Sequence, residues 1–352
     1  MIGALTYNDY LNLVNKKKIN GLIDIISQIQ PSSVDLSLSN ECYEIKASFL
    51  APNCKVRDKL KKISVKQIDI KNGIIFKKNK TYIIRLNEDL NLNNCTKGHC
   101  NPKSTTGRLN IFCRTILDFS DEYEKIPYNY NGEMFLEVTS RSYNIKFRAG
   151  DKINQMRLTK KNNVYLSDSN LKIINKKNSL IFSKKNNVID NGLKVSVDLS
   201  DDSKICAYQS KNVFSHIDFS KSKKYNYKKF WKPLKPKNKT LVIEKNKFYI
   251  LKSKEKIRIP NNLAGEMIAY DTGIGDFRVH YAGFFDPGFG NPRGSYAVLE
   301  VKTNELPFII EDGQTIARIK YEKLNKQTSV LYGSNINSNY QNQKLALSKH
   351  FK

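Results

Sequence analysis

Tyr281-Ala-Gly-Phe-Phe-Asp-Pro-Gly-Phe-Gly290 is an apolar run broken at Asp286-Pro287-Gly288, and Glu300 follows ten residues later within Ala297-Val-Leu-Glu-Val301. Proline presets the φ of one turn residue and glycine accepts the positive φ that follows, so Asp-Pro-Gly closes a hairpin. The reading is strand, Gly-rich turn, then an alternating strand that carries one carboxylate. A tight hairpin with exposed backbone N–H and C=O groups can read the polar edge of a nucleobase. A carboxylate on the neighbouring strand can then act on that base.

The same strand pattern occurs twice. Ser32-Ser-Val-Asp-Leu36 returns as Val195-Ser-Val-Asp-Leu199, 163 positions later, and Phe135-Leu-Glu-Val138 returns as Val298-Leu-Glu-Val301 at the same offset. Ala149-Gly-Asp-Lys-Ile153 and Asp312-Gly-Gln-Thr-Ile316 repeat it again. Between them, Tyr82-Ile-Ile-Arg-Leu-Asn-Glu88 matches Tyr249-Ile-Leu-Lys-Ser-Lys-Glu255 at an offset of 167. A unit of this size is a whole domain, far longer than the roughly 20–50-residue repeats of a solenoid. The expected division is residues 1–175 and 176–352, with a Lys-, Asn- and Ser-rich linker within Asn170 to Asn187.

Each half reads as short strands separated by Gly, Asn and Pro turns. Leu90-Asn-Leu92, Ile257-Arg-Ile259 and Ile316-Ala-Arg-Ile-Lys-Tyr321 alternate or nearly alternate apolar with polar side chains. Such spacing without intervening helices predicts an all-β sandwich or barrel with minor helices. The helical exception is Tyr7 to Ser27, broken near Gly21, where Tyr10, Leu11 and Val14 share a face.

The net charge is +27 and the pI is near 9.7, values that ordinarily point to nucleic acid. The excess is Lys scattered beside Asn and Ile, the drift of an AT-rich coding sequence, so no specific nucleic-acid partner is expected. A positive field is compatible with a polyphosphate substrate. No apolar run approaches the roughly 20 residues that span a bilayer, and Met1 to Asn15 lacks a signal-peptide core. Six irregularly spaced cysteines (Cys42, Cys54, Cys95, Cys100, Cys113 and Cys206) fit reduced thiols in a cytoplasmic protein. Cys95-Thr-Lys-Gly-His99-Cys100 lacks a second ligand pair, and the His-x-Glu and Pro-Cys-x-x-Cys elements of zinc deaminases are absent. No zinc is expected.

A second motif, Asn101-Pro-Lys-Ser-Thr-Thr-Gly-Arg108, places a cation, three hydroxyls and a second cation at a turn. Hydroxyls and backbone N–H groups cradle phosphate oxygens, and Lys or Arg adds charge-assisted bonds. Read alone, such a segment is more often an ordinary solvated loop. Its counterpart in the second half, Ile268-Ala-Tyr-Asp-Thr-Gly-Ile-Gly275, has no Ser-x-x-x-Arg, and Leu117-Asp118 in the first half has no Pro-Gly. Each half lacks what the other retains, which predicts one composite site.

The hairpin and the Val-Leu-Glu strand resemble the dCTP deaminase and dUTPase superfamily, in its deaminase branch, and the resemblance extends over nearly the whole chain. It implies two tandem dUTPase-like β-barrels and hydrolysis of dCTP to dUTP and ammonia. Glu300 becomes the general base, Ser104 a holder of the attacking water and Arg108 the cation that positions base-side hydrogen bonds. Lys103 and Thr105 match phosphate contacts, with Lys103 standing where the family has Arg. His280 and Tyr281 match the strand framing the base, and Asp286 matches an acid that contacts the sugar. Tyr332, Tyr340 and Gln343 resemble a tail that folds over the nucleotide. Glu137, the repeat partner of Glu300, reads as structural. The resemblance also implies Mg²⁺ carried on the triphosphate and a homo-oligomer. Alternatives are a dUTPase, a bifunctional enzyme (Gly283-Phe284 replaces the His-Arg frequent in pure deaminases) and a non-catalytic nucleotide-binding module.

Overall fold

The computed structural model describes residues 2–160, 165–182, 188–200, 204–268, 277–279 (backbone only), 283–303, 306–334, 336 and 340–352. Among the described residues strands far outnumber helices, so the fold is all-β with minor helices. The first half is organised by a ten-stranded sheet that forms a nearly closed barrel. Its path runs Ile111–Leu117, Asn131–Ser140, Thr81–Asn91, Val34–Ile45, Lys152–Lys160, Thr96–Pro102 and Lys125–Ile126.

The second half repeats these neighbours. Ser295–Thr303 lies between Phe248–Ile257 and Phe277–Val279, as Asn131–Ser140 lies between Thr81–Asn91 and Ile111–Leu117. Thr315–Lys323 lies between Leu193–Ser196 and Leu263–Ile268, as Lys152–Lys160 lies between Val34–Ile45 and Thr96–Pro102. Register agrees at the central strand, where Glu137 pairs with Ile83 and Glu300 with Ile250. Val34, however, faces Met156 and Leu193 faces Ile319, so the first strands correspond four residues away from the offset of 163 read in the sequence. A buried clamp recurs too. Glu88 accepts the Ser37 N–H at 3.0 Å and its hydroxyl at 2.6 Å, while Glu255 accepts the Ser196 N–H at 2.9 Å and the Ser196 hydroxyl.

The helix at the N-terminus spans only Tyr7–Asn15, shorter than its periodicity suggests. Thr6 donates its N–H and hydroxyl to Asp9 at 3.0 and 2.8 Å, which caps its start. Lys17 then takes a positive φ of 52°, and Ile19–Gly21 pairs with Glu88–Leu90 instead of continuing the helix. Tyr10, Leu11 and Val14 do pack on the core. A helix at Asp168–Asn178 runs into the expected linker, with Ser167 as its cap, Leu171 buried and Ile174 packed on the second core. Lys176 and Lys177 in its last turn suit the negative end of the helix dipole.

Packing does not respect the covalent halves. The first hydrophobic core takes in Phe230, Trp231, Phe248, Ile250, Val298 and Phe351 from the second half. His216–Asp218 pairs in parallel with Asn144–Phe147, and the Tyr143 hydroxyl donates to the Phe230 carbonyl at 2.8 Å. The halves are therefore expected to unfold together. Trp231→Ala should cost about 3–5 kcal/mol, the usual range for a buried aromatic, and urea unfolding should remain a single transition. Two separated transitions in the wild-type chain would show that the shared core does not couple the halves.

Candidate active site

Side-chain alternation on one strand places the central carboxylate. Along Ser295–Thr303, Leu299 and Val301 point into the second core, whereas Val298 joins the first core. Glu300 shares the face of Val298, so it points across the seam towards the first half. Opposite it stands Arg108, at the end of the short helical turn Ser104–Gly107. That turn is closed by Thr106 N–H to Lys103 O at 2.8 Å and Arg108 N–H to Ser104 O at 3.1 Å.

Between them lies a cavity of about 380 Å³ lined from both halves of one chain. Arg108 donates Nη2–H to Gln343 Oε1 at 2.8 Å and Nη1–H to the Ala346 carbonyl at 3.1 Å. Its guanidinium carbon lies 3.8 Å from the centroid of the Tyr340 ring, and the Tyr340 hydroxyl is 2.9 Å from Thr105 Oγ1. Arg108 Nε is 3.7 Å from Glu300 Oε1 and has no hydrogen-bond partner. That separation is too long for a direct bond and leaves room for a bridging atom. Burial pushes the Glu300 carboxyl up to about 7, and the nearby Arg108 charge opposes only part of that rise. The group is poised to exchange protons near neutrality.

The hairpin wall is held from beneath. Asp286 accepts Ser32 Oγ at 2.8 Å and Arg157 Nη2–H at 3.0 Å. Gly290 has φ +74° and lies so close to the Ile257 carbonyl that a Cβ would sit 2.2 Å from it, so only glycine fits this turn. Gln341 locks the turn from the tail, accepting the Gly290 N–H at 3.0 Å and donating to Gly288 O at 3.1 Å. At another part of the wall stand Lys103, paired with Asp35, and Lys349, whose ammonium is pushed down by burial and by Lys103. Two neighbouring cations in one cleft suit a polyanionic group.

Comparison with known families decides the ancestry. A 2'-deoxycytidine 5'-triphosphate deaminase N-terminal domain matches residues 1–162, and the corresponding C-terminal domain matches residues 167–351. The chain belongs to the dCTP deaminase family. It is similar to the solved 2'-deoxycytidine 5'-triphosphate deaminase from Agrobacterium tumefaciens, with 35% identity and a TM-score of 0.87 over 92% of this chain and 99% of that one. Comparison with curated protein sequences gave no match.

Of the residues singled out in the sequence, Lys103, Ser104, Thr105 and Arg108 from the first half line the deaminase-family pocket with Asp286, Glu300, Tyr332, Tyr340 and Gln343 from the second. His280 and Tyr281 lie outside the described residues. Glu137 is buried away from the pocket and accepts Arg114 Nη2–H at 2.7 Å. His99 contacts Glu266 at 3.0 Å, Cys100 sits in the core and Cys95 is exposed. The sequence reading missed Arg157, Gln341, Asp35 and Lys349. Arg157 carried one available signal, a cation in the apolar-alternating run Ile153-Asn-Gln-Met-Arg-Leu158.

The raised Glu300 carboxyl has a stability consequence with a definite sign. A group whose folded pKa is about 7 and whose ordinary value is 4.5 lets the unfolded chain release its proton first. Stability then falls as pH rises from 4.5 to 7, and the full cost persists above 7. Glu300→Gln should therefore melt at a higher temperature than wild type at pH 8, and the gain should vanish near pH 4.5. An equal melting temperature at pH 8 would show that the buried carboxylate is compensated in a way its surroundings do not reveal.

Proposed function

We propose that the composite pocket of a single chain carries out hydrolytic deamination of dCTP, with Glu300 as general base. The observation that carries this reading is the buried Glu300 carboxyl, with a pKa of about 7, facing the unsatisfied Arg108 Nε. Deamination at C4 of cytosine needs a water to lose a proton as its oxygen attacks the ring. Glu300 takes that proton and delivers it to N3 as the C4=N3 electron pair moves there. The carboxylate then takes the proton of the new C4 hydroxyl and passes it to the amino group, so that C4=O forms, the C4–N bond breaks and ammonia leaves. One carboxyl serves both transfers because its pKa lies near the working pH.

Ser104 and Arg108 are assigned to hold the water and the base-side oxygen. This is electrostatic preorganisation, because both groups are fixed by the helical turn before substrate arrives. Lys103 and Thr105 are assigned to the phosphates, with Lys349 added, and Asp286 to the sugar. Tyr332, Tyr340 and Gln343 close the pocket. His280 and Tyr281 keep their proposed place beside the base. Mg²⁺ is proposed to arrive on the triphosphate and to neutralise phosphate charge. Asp35 fits its outer coordination, since its Oδ1 is buried at the pocket without a hydrogen-bond partner. No zinc is assigned.

The repeated strand neighbours support two copies of one barrel, divided near residues 175 and 176, with complementary halves of the site retained in each. Six free thiols support a cytoplasmic location. Self-association would cover exposed apolar side chains such as Leu22, Ile26, Val242 and Ile309.

Purified protein should release ammonia from dCTP, and a zinc chelator should leave the rate intact. Conversion of dUTP to dUMP with dCTP untouched would refute the assignment. Glu300→Gln should abolish turnover while keeping dCTP binding, and Glu137→Gln should cost far less.

Arg108→Ala should lose about 2–4 kcal/mol of transition-state stabilisation. Mixing Arg108→Ala chains with Glu300→Gln chains should restore nothing, because each chain holds its whole pocket and one lesion. Recovered ammonia release in the mixture would mean that working sites are built between chains.

A further inference from the structure

The seam between the halves holds a second concavity of about 340 Å³, lined by Lys78, Arg141, Lys245, Lys247 and Lys302 with asparagine and serine between them. It shares no residue with the deaminase pocket. Lys302 follows Glu300 by two on the same strand and so leaves the same face. Asn110 follows Arg108 by two at the other wall and accepts the Arg141 N–H through its carbonyl at 2.9 Å. The two cavities are thus successive openings along one seam.

We propose that this concavity is an anion site that takes a di- or triphosphate group. Its lining carries five cations and no carboxylate among the described residues. The overall Lys excess of the chain does not explain this, because scattered surface lysines do not converge from four separate segments of both halves. Lys302 is half-buried, and its ammonium is pushed down by burial and by the nearby Arg141 charge. The wall is built as well as charged. Asn110 Nδ2–H donates to Ser142 Oγ at 2.8 Å, Ser142 Oγ–H meets Ser210 Oγ at 3.4 Å, and Lys78 Nζ–H donates to Asn212 Oδ1 at 3.0 Å.

The chemistry also limits the ligand. Among the described residues no aromatic ring or aliphatic side chain lines the cavity, so none of them stacks on a nucleobase. Amides, hydroxyls and ammonium groups recognise phosphate oxygens. The shared ligand chemistry is a compact polyphosphate, either inorganic or the tail of a nucleotide whose base stays outside.

Calorimetric titration with inorganic triphosphate tests the site in three chains: wild type, Arg141→Met/Lys302→Met, and Arg108→Ala. Methionine keeps the apolar stem and removes the charge. The double variant should lose one binding event, or weaken it tenfold or more, while Arg108→Ala keeps it. Unchanged isotherms in the double variant would overturn the proposal.

A melting scan guards against misfolding: the unliganded double variant should melt no lower than wild type, and triphosphate should raise the melting temperature of the wild type more. An equal rise in both would also overturn it. ATP should bind this site as inorganic triphosphate does. Preference for ATP beyond tenfold would refute a base-blind site. Displacement by single-stranded oligonucleotides, growing with their length, would assign the surface to a nucleic-acid backbone and overturn the polyphosphate reading.

Discussion

A guanidinium with no access to water holds the hairpin against the opposite half. Arg157 comes from the first half, and its side chain is 0% exposed. It donates to Glu322 at 2.8 Å, the Gly265 carbonyl at 3.0 Å, Asp286 at 3.0 Å and the Ser32 carbonyl at 3.1 Å, and it lies 4.2 Å from the Phe284 ring centroid. A buried charge is costly unless it is paired and fully hydrogen-bonded. This one is satisfied only when both halves and the hairpin stand in register. The geometry of the pocket above it follows from that requirement, because Asp286 and Phe284 cannot move without stranding the charge.

The Glu300 carboxyl shows the opposite balance. Burial that destabilises its ionised form also brings its pKa into the range where it can exchange protons. A few ångströms of apolar strand on one side and a single cation on the other set that value. The cation is itself held by Gln343, Ala346 and the face of Tyr340. Charge balance in the pocket is thus governed by the closing tail as well as by the barrel strands.

Much of this could be read from the chain alone, and for identifiable reasons. Asp286-Pro-Gly and the Lys103–Arg108 turn are local chemistry, and the paired offsets of 163 and 167 placed the two motifs in complementary halves. Strand alternation carried the side of Glu300. What escaped was non-local or overridden by tertiary structure. Arg157 looks like one more cation in a basic chain until the hairpin folds onto it. Residues 16–27 continue a helical pattern, but a free edge at Glu88–Leu90 captures Ile19–Gly21 as a strand. The Lys- and Asn-rich stretch after Ser167 looked like a linker because its two core contacts, Leu171 and Ile174, are sparse among polar residues.

The end of the chain is a strap. Tyr332 is tied by its N–H to the Pro287 carbonyl at 2.8 Å, while Phe351 is inserted into the first core and the His350 ring nitrogen contacts the Phe219 carbonyl at 2.8 Å. The chain from Tyr332 to Phe351 is therefore anchored at both ends. Its conformational search is bounded, and lengthening such a loop costs only about 0.6 kcal/mol per doubling. Insertions between the anchors should therefore be borne thermodynamically, whereas loss of the last few residues would turn a tethered cover into a dangling one. Phe351 thus acts as the buckle of the pocket.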